Sequence, residues 1–284
     1  MPLITGKTQL FGVIAHPVDH VRAPMVFNPV FEERGIDAVL VPVHILPEHL
    51  EITLNAFKHM PNMGGVAVTI PHKMTSADLC DELGMAAQVT GAVNAIRFEH
   101  GRMIGDNFDG KGFVAGLIGE GHMLKGHALK DHALKGHALK EMKAVIIGAG
   151  GAARAIAIAL ADSGLEQLTI INRSITKADD LADLIRQHYP DQNVKSATMD
   201  EIDTIKTACD LLINATSLGL NDNDPLPVDL AGVAKSTIIA DIIMVPEMTN
   251  WLLAAQKQGL TIHLGRHMLD YQKDLIAHFI GAWS

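Results

Sequence analysis

The sequence predicts an α/β protein of two domains, and three observations carry that expectation. Its 284 residues are enough for two apolar cores of ordinary size. Short apolar runs alternate with stretches of helical spacing along most of the chain, which implies parallel sheets covered by helices. A glycine-rich turn at 148–153 lies between a strand-like run and a helix-like run, and it opens the second half of the chain.

Taken in order, LFGVIAH (10–16) reads as a buried strand. Residues 25–35 read as a helix closed by Gly35, and AVLVPVHI (38–45) as a second strand. Helical spacing from Pro47 to about Met60, a strand at 65–70 and a helix from Ser76 to about Gly84 continue the alternation, so a parallel sheet is expected. From Gly110 to Glu141 the pattern weakens, and KGHAL-KDHAL-KGHAL-K (125–140) is a tandem five-residue repeat that reads as a linker expansion, dispensable for chemistry. From Lys143 a strand, turn and helix (AVIIGAGGAARAIAIALADSG) lead into the strand LTIINR. Further strands are expected at DLLINAT, STIIADII and LTIHLG, and an amphipathic helix from about Met268 to Trp283 that returns to the first domain.

Composition narrows the function classes. An apolar share of 48% with 19% charged residues lies far from disordered chains. A net charge of -9 argues against nucleic-acid or acidic-membrane partners, which need a basic stripe, and leaves a small molecule as the expected partner of a monomer or homodimer. Cys80 and Cys209 form no CxxC pair, so neither a disulfide framework nor a zinc knuckle is suggested. The N-terminus has no basic leader before an apolar core, and the apolar run at 144–160 is broken by Gly148, Gly150, Gly151 and Arg154; a cytoplasmic protein is expected. His122, His127, His132 and His137 invite a metal reading. A five-residue step, however, turns about 140° around a helix axis, so they share no face and no metal site is expected.

The turn Gly148-Ala149-Gly150-Gly151-Ala152-Ala153 matches GxGxxG/A in the strand–turn–helix context of a Rossmann-type domain. Gly148 permits the tight turn, Gly150 lets backbone approach a pyrophosphate, and Ala153 lets helix and sheet pack closely. The helix N-terminus then offers N–H groups and positive dipole to the phosphates. At the end of the next strand an NAD enzyme presents Asp or Glu to the ribose hydroxyls, but here Asn172-Arg173 stands in that place. Arg173 can pair with a 2′-phosphate, with Ser174, Thr176 and Lys177 adding donors, so NADP is the expected cofactor.

Five further segments carry a resemblance. HxxxP at 20–24, VTIPHK (68–73), GAVNAI (91–96) with GDNFDG (105–110), NATSLG (214–219) and GxxMLxxQ (265–272), in this order around the glycine turn, resemble the shikimate/quinate dehydrogenase family over nearly the whole chain. The resemblance implies a substrate domain at 1–109 completed by the helix at 267–284. A Rossmann domain at 110–266 would carry the insert at 125–140, with a cleft between the two domains. It implies NADP-linked conversion of shikimate to 3-dehydroshikimate, on the way to aromatic amino acids, with Lys73 and Asp109 as the catalytic pair. Losing hydride from a secondary alcohol requires the hydroxyl proton to leave too, so a group of tuned pKa must touch that oxygen. Thr69, Asn94 and Gln272 are implied as substrate contacts, and the uncharged amides of Asn94, Asn107 and Gln272 suit a polyol ring. Asn214, Thr216 and Gly265 are implied around the cofactor.

Two departures bear on the substrate. The family usually carries Ser-x-Ser before its first-motif proline, and both hydroxyls hold the substrate carboxylate. Here Val21, Arg22 and Ala23 fill that segment, and two donors to the carboxylate are lost, at about 1–3 kcal/mol for an unsatisfied charged acceptor. Arg22 is a candidate replacement as a bidentate donor. Met244 also stands where the family commonly has a tyrosine. Quinate or a related cyclohexane carboxylate is therefore the alternative substrate class, and an NADP-binding sensor without catalysis the alternative function.

Overall fold

The computed structural model describes residues 4–19, 21–122 and 139–283, so His20 and the body of the repeat lie outside the described residues. The chain divides into two units, Met1–Phe108 with Lys273–Ser284, and Asp109–Gln272.

The first unit runs β1 (Gln9–Ala15), α1 (Ala23–Arg34), β2 (Ala38–His44), α2 (Leu50–Phe57), β3 (Met63–Val68), α3 (Lys73–Leu79), β4 (Glu82–Leu83), α4 (Met85–Thr90), β5 (Ala95–Glu99) and β6 (Arg102–Asp106). Its strands lie in the order β2-β1-β3-β5-β6-β4. The side chains of β1 alternate between two apolar clusters, Phe11 and Val13 on one side and Ile14 on the other, as a sheet buried on both faces requires. One cluster is closed by the end of the chain: the Trp283 ring lies 5.0 Å from Phe27 and 5.7 Å from Phe31, with the Arg34 guanidinium 5.2 Å from the indole centre.

Two expectations for this unit need correction. The sheet is mixed rather than parallel throughout, because β5 runs antiparallel to both β3 and β6. Its hairpin turns through His100 and Gly101, both at positive φ (51° and 75°), which is the two-residue turn that antiparallel strands favour. The sequence signal was weak because histidine rarely adopts that region. The helix expected from Ser76 starts earlier, at Lys73, since a turn in which His72 N donates to Thr69 O (3.0 Å) leads into the bond from Ser76 N to His72 O (2.9 Å). Residues 82–83 pair with β6 instead of continuing that helix.

The second unit runs α5 (Asp109–Gly119), β7 (Lys143–Ile147), α6 (Gly151–Asp162), β8 (Gln167–Ile171), α7 (Ile175–His188), β9 (Val194–Ala197), α8 (Ile202–Ile205), β10 (Leu211–Asn214), β11 (Ile238–Asp241), α9 (Asn250–Lys257), β12 (Thr261–His263) and α10 (Gly265–Ile280); the last turns of α10 belong to the first unit. The sheet is parallel in the order β12-β11-β10-β7-β8-β9, the doubly wound arrangement. Strand order reverses between β7 and β10, which opens a crevice at their carboxyl ends, where Gly148 and Ala215 follow. Trp251 anchors the far half by donating its indole N–H to Val228 O at 3.0 Å. Burial pushes the fully buried His263 at the end of β12 down to about 3, so its imidazole is neutral. Among the described residues no helix is long and apolar enough to cross a membrane.

Helix α5 was not legible, because its glycines at 110, 112, 116 and 119 lower helix propensity and blur the period. Tertiary contact demands them. Helix α6 is buried on nearly every side, from Ala155 through Ala161. A Cβ built at Gly110 of α5 would stand 1.9 Å from Ala155 O. Gly110→Ala is therefore expected to lower stability by about 3 kcal/mol, read as a reduced urea midpoint at unchanged m; an unaltered midpoint would mean that the two backbones are not in contact.

Candidate functional site

In the second unit the turn after β7 is held by a hydrogen bond from Gly148 N to Ile171 O at 2.7 Å. Gly148 sits at φ +116°, and a Cβ there would meet Ala215 O at 2.7 Å, so only glycine suits both the dihedral and the close approach. Ala149 is buried above the turn. Gly150 is the N-cap of α6, and no side chain caps that helix. Neither Gly150 nor Gly151 has an atom within 4 Å of where a Cβ would be, so nothing crowds the mouth of this helix, whose first-turn N–H groups have no helical carbonyl to bond. Ala152 is half-buried and Ala153 fully buried against the sheet. This cradle fits a pyrophosphate: positive dipole, free donors and no side chain in the way.

Arg173, Ser174 and Lys177 are all exposed where β8 passes into α7, and Asn172 fixes the bend by donating from Nδ2 to Ser174 O at 3.0 Å. The segment presents two cations and a hydroxyl to solvent, the set a phosphate monoester takes. Across the strand reversal, the fully buried Asn214 uses its whole amide internally. Its Nδ2 donates to Leu218 O (2.9 Å) and Asp241 Oδ1 (3.1 Å), while its Oδ1 accepts from Thr216 N (3.1 Å) and Thr216 Oγ1 (2.7 Å). Thr216 Oγ1 in turn accepts from Leu218 N at 3.0 Å. Gly265, at the head of α10, lies so near β11's exit that a Cβ would stand 2.4 Å from Ile243 O.

Asp109 and Gln272 also belong to this unit. Asp109 is the first residue of α5, where an anion is favoured by the helix dipole. Gln272 is buried on α10 against Gly112, whose added Cβ would meet Gln272 Cβ at 2.7 Å.

In the first unit the expected residues gather at one edge of the sheet. Thr69 follows β3, and its N–H bonds Ile14 O at the end of β1 (3.1 Å). Lys73 is half-buried as the first residue of α3, and its carbonyl accepts from Val93 N at 2.9 Å. Asn94 is buried just before β5 and accepts from Phe108 N at 2.9 Å. Asn107 is buried just after β6 and donates from Nδ2 to Ala92 O at 3.1 Å. The carboxyl ends of β3 and β6 and the start of β5 thus carry a threonine, a lysine and two amides together. Arg22 is exposed at the N-cap of α1, while the half-buried Val21 and Ala23 pack against the Phe27–Phe31–Trp283 cluster.

Several polar groups of this edge and its counterpart were not anticipated. His16 Nδ1 lies 2.8 Å from His44 Nε2 at the ends of β1 and β2. Beside Lys73, the buried His72 is bonded through Nε2 to Ile45 O (2.9 Å) and held below its usual pKa chiefly by burial, with His16 and His44 adding repulsion. In the second unit the buried Asp241 accepts from Thr249 Oγ1 (2.9 Å), Ile243 N (3.0 Å) and Asn214; burial still pushes its carboxyl above the usual range. A lone acid in the apolar run STIIADII was the available signal.

Residues 13–96 match the model of the shikimate dehydrogenase substrate binding domain, and residues 129–221 that of shikimate / quinate 5-dehydrogenase. The chain is 34% identical to the shikimate dehydrogenase (NADP(+)) of Methanopyrus kandleri, over 95% of this chain and 89% of that one. Among solved structures, a shikimate dehydrogenase in complex with NADP+ superposes with a TM-score of 0.80 at 31% identity, covering 99% and 93% of the two chains. The ligand-free 5-ketofructose reductase of Gluconobacter sp. strain CHM43 does so with 0.82 at 29% identity, covering 99% and 95%.

Proposed function

We propose, since the chain belongs to the shikimate/quinate dehydrogenase family, that Lys73 and Asp109 are the groups through which it works. The protein is an NADP-linked oxidoreductase that interconverts shikimate and 3-dehydroshikimate, a reaction of aromatic amino acid biosynthesis. The bound nicotinamide supplies a hydride acceptor in oxidation and a donor in reduction. The observation that carries the assignment of residues is the seat of Lys73 and Asp109, each the first residue of a helix and each within a motif of the family.

In oxidation Lys73 Nζ takes the proton from the reacting hydroxyl as its carbon loses hydride, and in reduction it returns that proton to the carbonyl oxygen. Asp109, the second member of the family's pair, accepts from a ring hydroxyl of the substrate. Thr69, Asn94 and Gln272 hold the remaining oxygens with neutral donors and acceptors, which avoids bringing uncompensated charge beside the nicotinamide. The first-turn N–H groups of α6 bind the pyrophosphate, with Ala149, Gly150 and Gly151 leaving it room. Arg173, with Ser174 and Lys177, binds the 2′-phosphate. Asn214 is proposed as a positioning residue: with its amide spent on Leu218, Asp241 and Thr216, it fixes the loop after β10. Gly265 keeps α10 close to that loop.

A second reading of substrate rests on Val21 and Ala23. Their side chains pack into the apolar cluster and bring no hydroxyl to the segment where the family holds the carboxylate. Either the exposed Arg22 meets that carboxylate or the preferred substrate is an uncharged polyol, as the name of the 5-ketofructose reductase indicates for that protein.

Initial rates with shikimate and NADP+, quinate and NADP+, and 5-ketofructose and NADPH discriminate these. Dominant turnover of shikimate supports the first reading. Dominance of the uncharged sugar moves the assignment to the second, in which case Val21→Ser with Ala23→Ser should raise shikimate kcat/KM about tenfold or more, the worth of one recovered hydrogen bond. Lys73→Ala is expected to lower kcat by at least about 100-fold while NADP+ affinity stays within twofold, as loss of general-base catalysis requires; retention of wild-type turnover removes Lys73 from the reaction. Arg173→Asp should invert or strongly reduce the NADP+/NAD+ preference, measured as the ratio of kcat/KM values, and an unmoved ratio would place the 2′-phosphate elsewhere.

A further inference from the structure

Away from the residues assigned to dehydrogenation, the second unit gathers three imidazoles from three separate pieces of chain. His122 follows α5, His263 ends β12, and His267 lies in the first turn of α10. One ring nitrogen of each lies within 4.8 Å of the other two. His267 Nδ1 and His263 Nδ1 are 3.2 Å apart, and the His263 ring stands 5.2 Å from that of His122 at 87°. Gly116 on α5 makes the gathering possible, because a Cβ there would press on His267 Cβ at 3.1 Å and His263 Cε1 at 3.3 Å.

An ordinary packed histidine satisfies its ring nitrogens, and two here do not. His263 is fully buried, yet its Nε2 has no hydrogen-bond partner, and neither does the buried Nε2 of His122. Leaving such groups unpaired is unfavourable unless something else accepts their lone pairs. From these observations we infer a binding site for one divalent transition-metal ion, Zn2+ foremost, held by His122, His263 and His267. With metal–nitrogen bonds of about 2.0–2.1 Å and tetrahedral angles, ligand nitrogens stand about 3.3 Å apart, against a present spread of up to 4.8 Å among the three rings. The remaining separations close by small rotations of the His122 side chain, which sits in a turn. Glu120 stands outside this set, with its Oε1 3.9 Å from His267 Nε2 and steadied by the Tyr271 hydroxyl at 3.1 Å, so water completes the tetrahedron. Three imidazoles are a donor set suited to zinc and its neighbours rather than to Mg2+ or Ca2+. The site is structural. It ties the end of α5 to β12 and α10, just before the chain enters the repeat. Spacing along the repeat could not find it, because the partners of His122 are His263 and His267, far downstream in the sequence.

The test uses the full, untagged chain stripped with chelator, then titrated with ZnCl2 and separately with CoCl2. One Zn2+ per chain should bind, with a Tm rise of roughly 5 °C at saturation, and Co2+ should give the visible bands of a four-coordinate ion. His122→Ala, in a half-buried turn, and His267→Gln should each weaken binding roughly 100-fold or more, since even outer-shell partners change affinity 10–100-fold. The triple variant H127A/H132A/H137A should keep the bound ion. Undiminished binding by His122→Ala, loss of binding in the triple repeat variant alone, or no stoichiometric uptake by the parent chain would each overturn the site.

Discussion

Two contacts without an intervening Cβ set the position of α6, and the functional half of the second unit depends on both. At Gly148 the backbone turns through positive φ beneath Ala215, and at Gly110 the first turn of α5 rests on the Ala155 carbonyl. The first contact aims the α6 N-terminus at the crevice where strand order reverses. The second seats Asp109, one residue before Gly110, relative to that same helix. The glycine turn and the Asp109 carboxylate are thereby referred to one buried helix, whose small side chains allow approach on every face.

A second constraint acts across the strand reversal. Asn214 links the exits of β10 and β11 through Asp241, which also holds Thr249 at the N-cap of α9. Burial of this acid is unfavourable to its charge, and three donors only partly offset that, as the upward pKa direction records. Such a network is useful where geometry matters more than stability, because each member has few alternative partners. It keeps the loop bearing Thr216 in one shape beside the glycine turn.

The first unit solves a different problem. Its sheet edge collects Thr69, Lys73, Asn94 and Asn107 by using strands of both directions, so that the start of β5 meets the ends of β3 and β6. Backbone bonds such as Val93 N to Lys73 O and Phe108 N to Asn94 Oδ1 hold that edge together. Val21 and Ala23 pack on the apolar cluster of Phe27, Phe31 and Trp283 and bring no hydroxyl to that stretch of chain.

Periodicity and motif determined a great deal: an α/β fold in two units, the glycine turn and the cationic segment after β8, each a local pattern within a few residues. What they could not determine has a common physical cause. Helix α5 was hidden because its glycines answer to α6 and α10 and not to helix propensity. The β5–β6 hairpin was hidden because His100 takes a dihedral that histidine seldom does. Asp241 and the three imidazoles acquire meaning only from partners far away in sequence. Local energetics is written in neighbouring residues, whereas close approach and burial are decided by what the folded chain brings alongside.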